Sequence, residues 1–134
     1  MKFTSIQQDA HTRQEEYQWA EIIQQGDEVK GMTLILIQKM CTAFHEYGPL
    51  MEEGGLSDDP TILEFIRRRL LARIDTVMST LRVNGLAEIE GAGKLAACRE
   101  EVQSMTSVSL LKTLPEQIHQ ISHLLVDNLQ LTSR

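Results

Sequence analysis

Aromatic residues are scarce: Trp, Tyr and Phe together make up 4% of the chain. A sandwich or barrel built on aromatic and β-branched cross-strand pairs is therefore a poor reading. Six Met and many Leu and Ile are left to fill the interior, which suits adaptable helix packing. Only two cysteines are present. Cys41 and Cys98 each fall at an apolar helical position with no partner at ligand spacing, so both read as reduced core residues. Long apolar runs are missing as well, the longest lying around Leu34 to Ile37, far short of a membrane span. Lys2 has no apolar stretch behind it, so no signal peptide is expected, and the default compartment is cytoplasmic.

Catalytic signatures are absent too. There is no Gly-x-Ser-x-Gly elbow, no Cys-His pair at motif spacing and no two-cysteine zinc ladder. Gly91-Ala-Gly-Lys94 resembles a phosphate-binding loop only in part. That loop needs Gly five residues before the second Gly and Ser or Thr after the Lys, and Glu88 and Leu95 stand there instead. Paired carboxylates such as Glu15/Glu16 and Glu100/Glu101 read as solvent-facing. No residue set argues for an enzyme, and no cofactor is implied.

What remains is a chain of 134 residues, the size of a single helical domain able to fold without disulfides or metal. Its most apolar stretch, Met32 to Tyr47, is apolar on more than one helical face. Val29, Met32, Leu36, Met40, Ala43 and Tyr47 trace one stripe, and Leu34, Ile37 and Cys41 a second beside it. A helix of this kind must be covered on two sides. The expected fold is all-α: a single-domain bundle over residues 1–134, with four to five amphipathic helices around a central apolar helix at about residues 28–47.

The other segments supply the covering helices. Ser5 with Gln8 forms a capping box opening a helix to about Gln25, stopped by Gly26, with Ile6, Ala10, Tyr17, Ala20 and Ile23 or Gln24 facing inward. Trp19 and Ile22 fall off that stripe, as a second packing edge or an exposed anchor. Asp27 can cap the central helix, and Gly48-Pro49 stops it. Residues 48–59 have the composition of an exposed loop. Asp58 or Asp59 before Pro60 starts a helix to Val83, with Ile62, Ile66, Leu70, Ile74, Val77 and Leu81 inside and Asn84-Gly85 as its stop. Residues 86–93 read as a helical turn or a small hairpin. A further helix runs from Lys94 to about Met105. Thr113-Leu-Pro-Glu116 is a capping box for the last one, whose inner face is Leu114, Ile118, Ile121, Leu125 and Leu129.

Net charge of −6 conceals an uneven spread. Residues 1–59 carry four basic and eleven acidic side chains, whereas residues 60–85 carry five Arg against Glu64 and Asp75. So negative a whole disfavours general nucleic-acid binding and confines any such contact to Arg67, Arg68, Arg69, Arg73 and Arg82. Three consecutive arginines splay around a helix at about 100° each and cannot form one flat stripe. These arginines either pair with the acidic first half of the chain, dock an acidic protein, or contact phosphates. His119, His123 and Asp127, at i, i+4 and i+8, have a spacing that can present metal ligands. They lie opposite the apolar stripe, however, so a solvated face or a contact surface is the plainer reading and no metal is expected. His45 near a helix C-terminus needs no function to explain it.

In size and helical character the chain is similar to the small subunits of CRISPR effector complexes, and the helix exit Leu81-Arg-Val-Asn-Gly-Leu86 looks like one such family. Six residues carry no site over, and the acidic balance opposes it. The leading expectation is a non-catalytic helical interaction protein: an adaptor, chaperone or small assembly subunit of bacterial or phage type. It would act through an external helix surface that includes the arginines and Trp19, with a protein partner or a second copy and no membrane. The alternative is a nucleic-acid-binding small subunit using the helix at 60–83.

Overall fold

A computed structural model describes residues 28–52, 54 and 56–131. The expected first helix, with its acidic cluster, Trp19 and the Asp27 cap, lies outside the described residues. All regular structure among those described is helical, with no strand. The elements are α1 (Glu28–His45), α2 (Gly48–Glu52), α3 (Pro60–Val83), α4 (Glu90–Gln103), a 3₁₀ turn η1 (Val108–Lys112) and α5 (Leu114–Leu131).

The four long helices close a ring in which α1 packs on α3 and α5, and α4 packs on the same two from the other side. Side-chain contacts fix the directions. Arg67 reaches Met105 while Asp75 reaches Arg99, so α3 and α4 run antiparallel. Lys30 reaches Leu129 while His45 lies near His119, so α1 and α5 do too. Gly91, at the start of α4, meets Leu125 and Asn128 late in α5. With every other neighbour antiparallel, α1 and α3 must be as well. The result is an up-down-up-down bundle.

Its interior is one continuous apolar cluster. Leu34, Ile37, Met40 and Phe44 of α1, Leu70 and Ile74 of α3, Leu95 and Cys98 of α4, and Leu114, Ile118, Leu125 and Leu129 of α5 are all fully buried. On α1 the two apolar stripes expected from the sequence are covered unequally. The buried arc is centred between them, rotated roughly 70° from the first toward the second, and two neighbouring helices cover it, as an apolar pattern on two faces requires. Thr33, Leu34, Ile37, Met40, Phe44 and Tyr47 are buried, whereas Met32 stands 60% exposed. On α3 the inner face matches the expected period from Ile66 to Leu81, but Leu63 takes the buried place at its start and Ile62 is half-buried.

The helix ends explain the boundaries. The Asp59 carboxylate accepts from the Thr61 N–H at 2.8 Å with Pro60 in the first turn of α3. At the far end Gly85 takes φ +74°, the Leu86 N–H donates to the Leu81 carbonyl and the Gly85 N–H donates to that of Arg82. That double bond pattern is what an Asn-Gly stop provides. Residues 48–59, expected as a loop, instead begin with the short α2 and are tied down later, where Asp58 accepts from the Val108 N–H at 2.8 Å. The expected capping box does not form among the described residues: the Thr113 hydroxyl donates back to the Leu110 carbonyl, and no bond joins it to Glu116.

Helix α4 begins at Glu90 rather than Lys94. Ile89 has no side chain able to cap it, and the cap comes from across the bundle: Asn128 Oδ1 accepts from the Gly91 N–H at 2.8 Å. That approach requires glycine. A Cβ at position 91 would stand 2.6 Å from Leu125 Cδ2 and 2.9 Å from its Cγ, whereas one at Gly93 would meet nothing within 4 Å. In chemical denaturation Gly91→Ala is expected to lose about 1–3 kcal/mol to overpacking. Gly93→Ala should gain about 0.5–1 kcal/mol from reduced backbone entropy in the unfolded chain.

Both cysteines are free thiols, Cys98 buried in the core and Cys41 half-buried. Burial pushes the Cys98 thiol up from 9.0 to about 11, with Glu101 adding to the effect. In the unfolded chain the thiol ionises first, so the native state holds more protons at alkaline pH. Stability is therefore expected to fall as pH rises from 9 through about 11. Urea melts across that window should show the slope in the wild type and not in Cys98→Ala.

Candidate functional site

The five arginines of the basic helix divide by their position around it. Arg67, half-buried, donates to Glu64 one turn earlier and to the Met105 carbonyl just past the end of α4. Its Nε is buried with no acceptor among the described residues. Arg68 pairs with Glu64 at 3.0 Å, yet its side chain stays 80% exposed. Arg69 turns toward α1, where its Nη2 lies 2.5 Å from a Glu46 oxygen and its Nη1 donates to the Tyr47 hydroxyl at 3.1 Å. The guanidinium also sits 5.9 Å from the Tyr47 ring centroid. The Tyr47 hydroxyl first, and then Glu46, raise Arg69 above the ordinary arginine value against the opposing effect of burial.

Arg73 and Arg82 are exposed and make no ion pair among the described residues. One basic residue absent from the sequence reading takes part in the surface of α3. Arg99 of α4 grips Asp75 through two nitrogens, at 2.5 and 3.2 Å, and this contact raises Arg99. In the sequence it is one of two basic residues, with Lys94, in a helix that also carries three acidic ones, and that names no partner.

Two large apolar side chains complete this surface. Phe65 is 66% exposed and Val83 78%, the highest among the large hydrophobic residues described. Neither stood out in the sequence, since a single apolar residue off the inner stripe is ordinary. Here they stand at either end of α3 beside Arg68 and Arg82, on a face against which no other long helix packs among the described residues. Aromatic and arginine side chains together, without a dense charge cover, are the composition of a contact surface.

The histidines gather differently from the expected pattern. His119 and His123 are half-buried rather than outward, and their rings lie 4.7 Å apart in an edge-to-face arrangement. The third member is His45, whose ring is 6.2 Å from that of His119, not Asp127, which is exposed. His45 Nδ1 is 2.9 Å from the Cys41 carbonyl. A carbonyl only accepts, so that nitrogen carries the proton and Nε2 keeps the lone pair when the ring is neutral. Among the described residues no three His, Cys, Asp or Glu groups are placed to hold a metal ion. Trp19 lies outside the described residues.

The division of the arginines predicts their energetics. Arg67→Ala strips a donor from a carbonyl at a helix end and should cost about 1–3 kcal/mol. Arg82→Ala should change stability by less than about 0.5 kcal/mol. Equilibrium unfolding of the two variants at low protein concentration separates an arginine bonded within the bundle from one that is not. Compared with protein-family models, curated proteins and solved structures, the chain matches none.

Proposed function

We propose that this chain is a non-catalytic interaction protein, an adaptor, chaperone or small assembly subunit of bacterial or phage type, whose working surface is the outer face of α3. The observation that carries the reading is the exposure of Phe65 and Val83 at opposite ends of one helix face, with Arg68 and Arg82 beside them. Burying an exposed aromatic ring and a valine against a partner is worth about 1.5–3 kcal/mol each, while rim charges chiefly set orientation and rate. A reducing compartment fits two free thiols. No described helix is long and apolar enough to cross a membrane.

The alternative, contact with a nucleic-acid backbone, draws on Arg68, Arg73 and Arg82, because Arg67 and Arg69 are spent inside the bundle. It would give retardation of nucleic acid that weakens steeply with salt. Purification of the tagged chain from its native host at low salt decides between them. The expected result is a stoichiometric protein complex or self-associated species with a protein-like absorbance ratio, lost in Phe65→Asp. A monomer with nothing bound removes the interaction reading, and co-purified nucleic acid replaces it.

A further inference from the structure

The same face carries a pattern that selects its occupant. Phe65 and Val83 are eighteen residues apart along α3, which at 3.6 residues per turn is five whole turns. Their side chains therefore leave the helix along one line, about 27 Å apart. Between them the line passes Ala72 and Thr76, with Ser79 alongside, all short side chains. One flank of that line carries Glu64, Arg68, Asp75 and Arg82, spread over roughly 40° of azimuth. Along the helix their charges alternate: negative, positive, negative, positive.

That order is its own complement when reversed. From these observations we infer that the face binds a second copy of this chain, with the two α3 helices antiparallel about a two-fold axis near Arg73 and Ile74. This deepens the interaction reading and rests on it. In this arrangement Phe65 meets Val83 of the second copy, Glu64 meets Arg82, and Arg68 reaches Asp75, each contact made twice. A two-fold interface needs residue i to meet j while j meets i. An unrelated partner would impose no relation between the two ends of the helix. Only an antiparallel two-fold pair brings this flank of one copy against the same flank of the other, whereas a parallel pair would turn it toward the opposite flank, where Arg69 and Arg73 stand. Nor do the internal pairs compete. Glu64 already accepts from Arg67 and Arg68, and both Asp75 oxygens accept from Arg99, but each carboxylate oxygen keeps a second lone pair for the other copy, and Arg82 has no ion-pair partner among the described residues.

Sedimentation equilibrium of the full chain over a wide concentration range is the test, with thermal melts at each concentration. The wild type should be a dimer whose dissociation constant rises with salt and whose melting midpoint rises with protein concentration. Phe65→Asp and Arg82→Glu, both at exposed positions, should raise the dissociation constant at least tenfold with unchanged helical circular dichroism. Glu64→Arg should do the same, and an equimolar mixture of Glu64→Arg with Arg82→Glu should recover the dimer, because opposite charges again face each other at both ends. A monomeric wild type overturns the assignment, as does a dimer indifferent to Phe65→Asp or a mixture that stays monomeric. A monomer that still brings down a protein partner from its host would fail this assignment alone and leave the broader reading standing.

Discussion

The fold depends on burying one broad arc of α1 against two helices at once. Leu34, Ile37, Met40 and Phe44 are fully buried, and each side chain of this kind contributes about 1.5–3 kcal/mol when taken out of water. The ion pairs between elements, Arg69 with Glu46 and Arg99 with Asp75, lie at least partly in solvent. Pairs in that setting contribute about 0–1 kcal/mol. Apolar burial therefore holds the bundle together, and the surface charges choose among its registers. An arc wide enough for two neighbours demands a helix on each side, and α3 and α5 take those places.

Once α1 is enclosed, the remaining constraints are polar and local. Buried backbone groups must find partners, and the bundle meets this at its helix ends from distant parts of the chain. Lys30 donates to the Leu129 carbonyl in the last turn of α5, Asn128 receives the Gly91 N–H, and Arg67 donates to the Met105 carbonyl. Each satisfies one end group that its own helix cannot. Each also links two neighbouring helices, so the contacts that complete the ends set the vertical register of the ring.

The outer face of α3 is what this architecture leaves over. Because α3 is covered by α1 on one side and α4 on the other, its third side carries Phe65, Arg68, Ala72, Thr76 and Val83 into solvent, with Ser79 half-buried beside them. A face of small residues flanked by two large apolar ones suits another helix better than it suits a small molecule, which requires a concave site.

The sequence by itself determined the helical class, the placement of α3 and α5, and most of their buried faces, because a 3.6-residue period reports azimuth about a helix's own axis. Ile66, Leu70, Ile74, Val77 and Leu81, and likewise Leu114, Ile118, Ile121, Leu125 and Leu129, are buried as that period implies. The Asp59-Pro60 start and the Asn84-Gly85 stop were legible for the same reason, since caps are built from adjacent residues. Tertiary structure alone decided which arc of α1 is covered, that Asn128 rather than a local residue caps α4, that His45 joins His119, and which arginines are committed. Those outcomes turn on the register between helices far apart in the chain. Glu46 and Arg69, or Asp75 and Arg99, become neighbours only when whole helix faces have docked, and no local spacing encodes that.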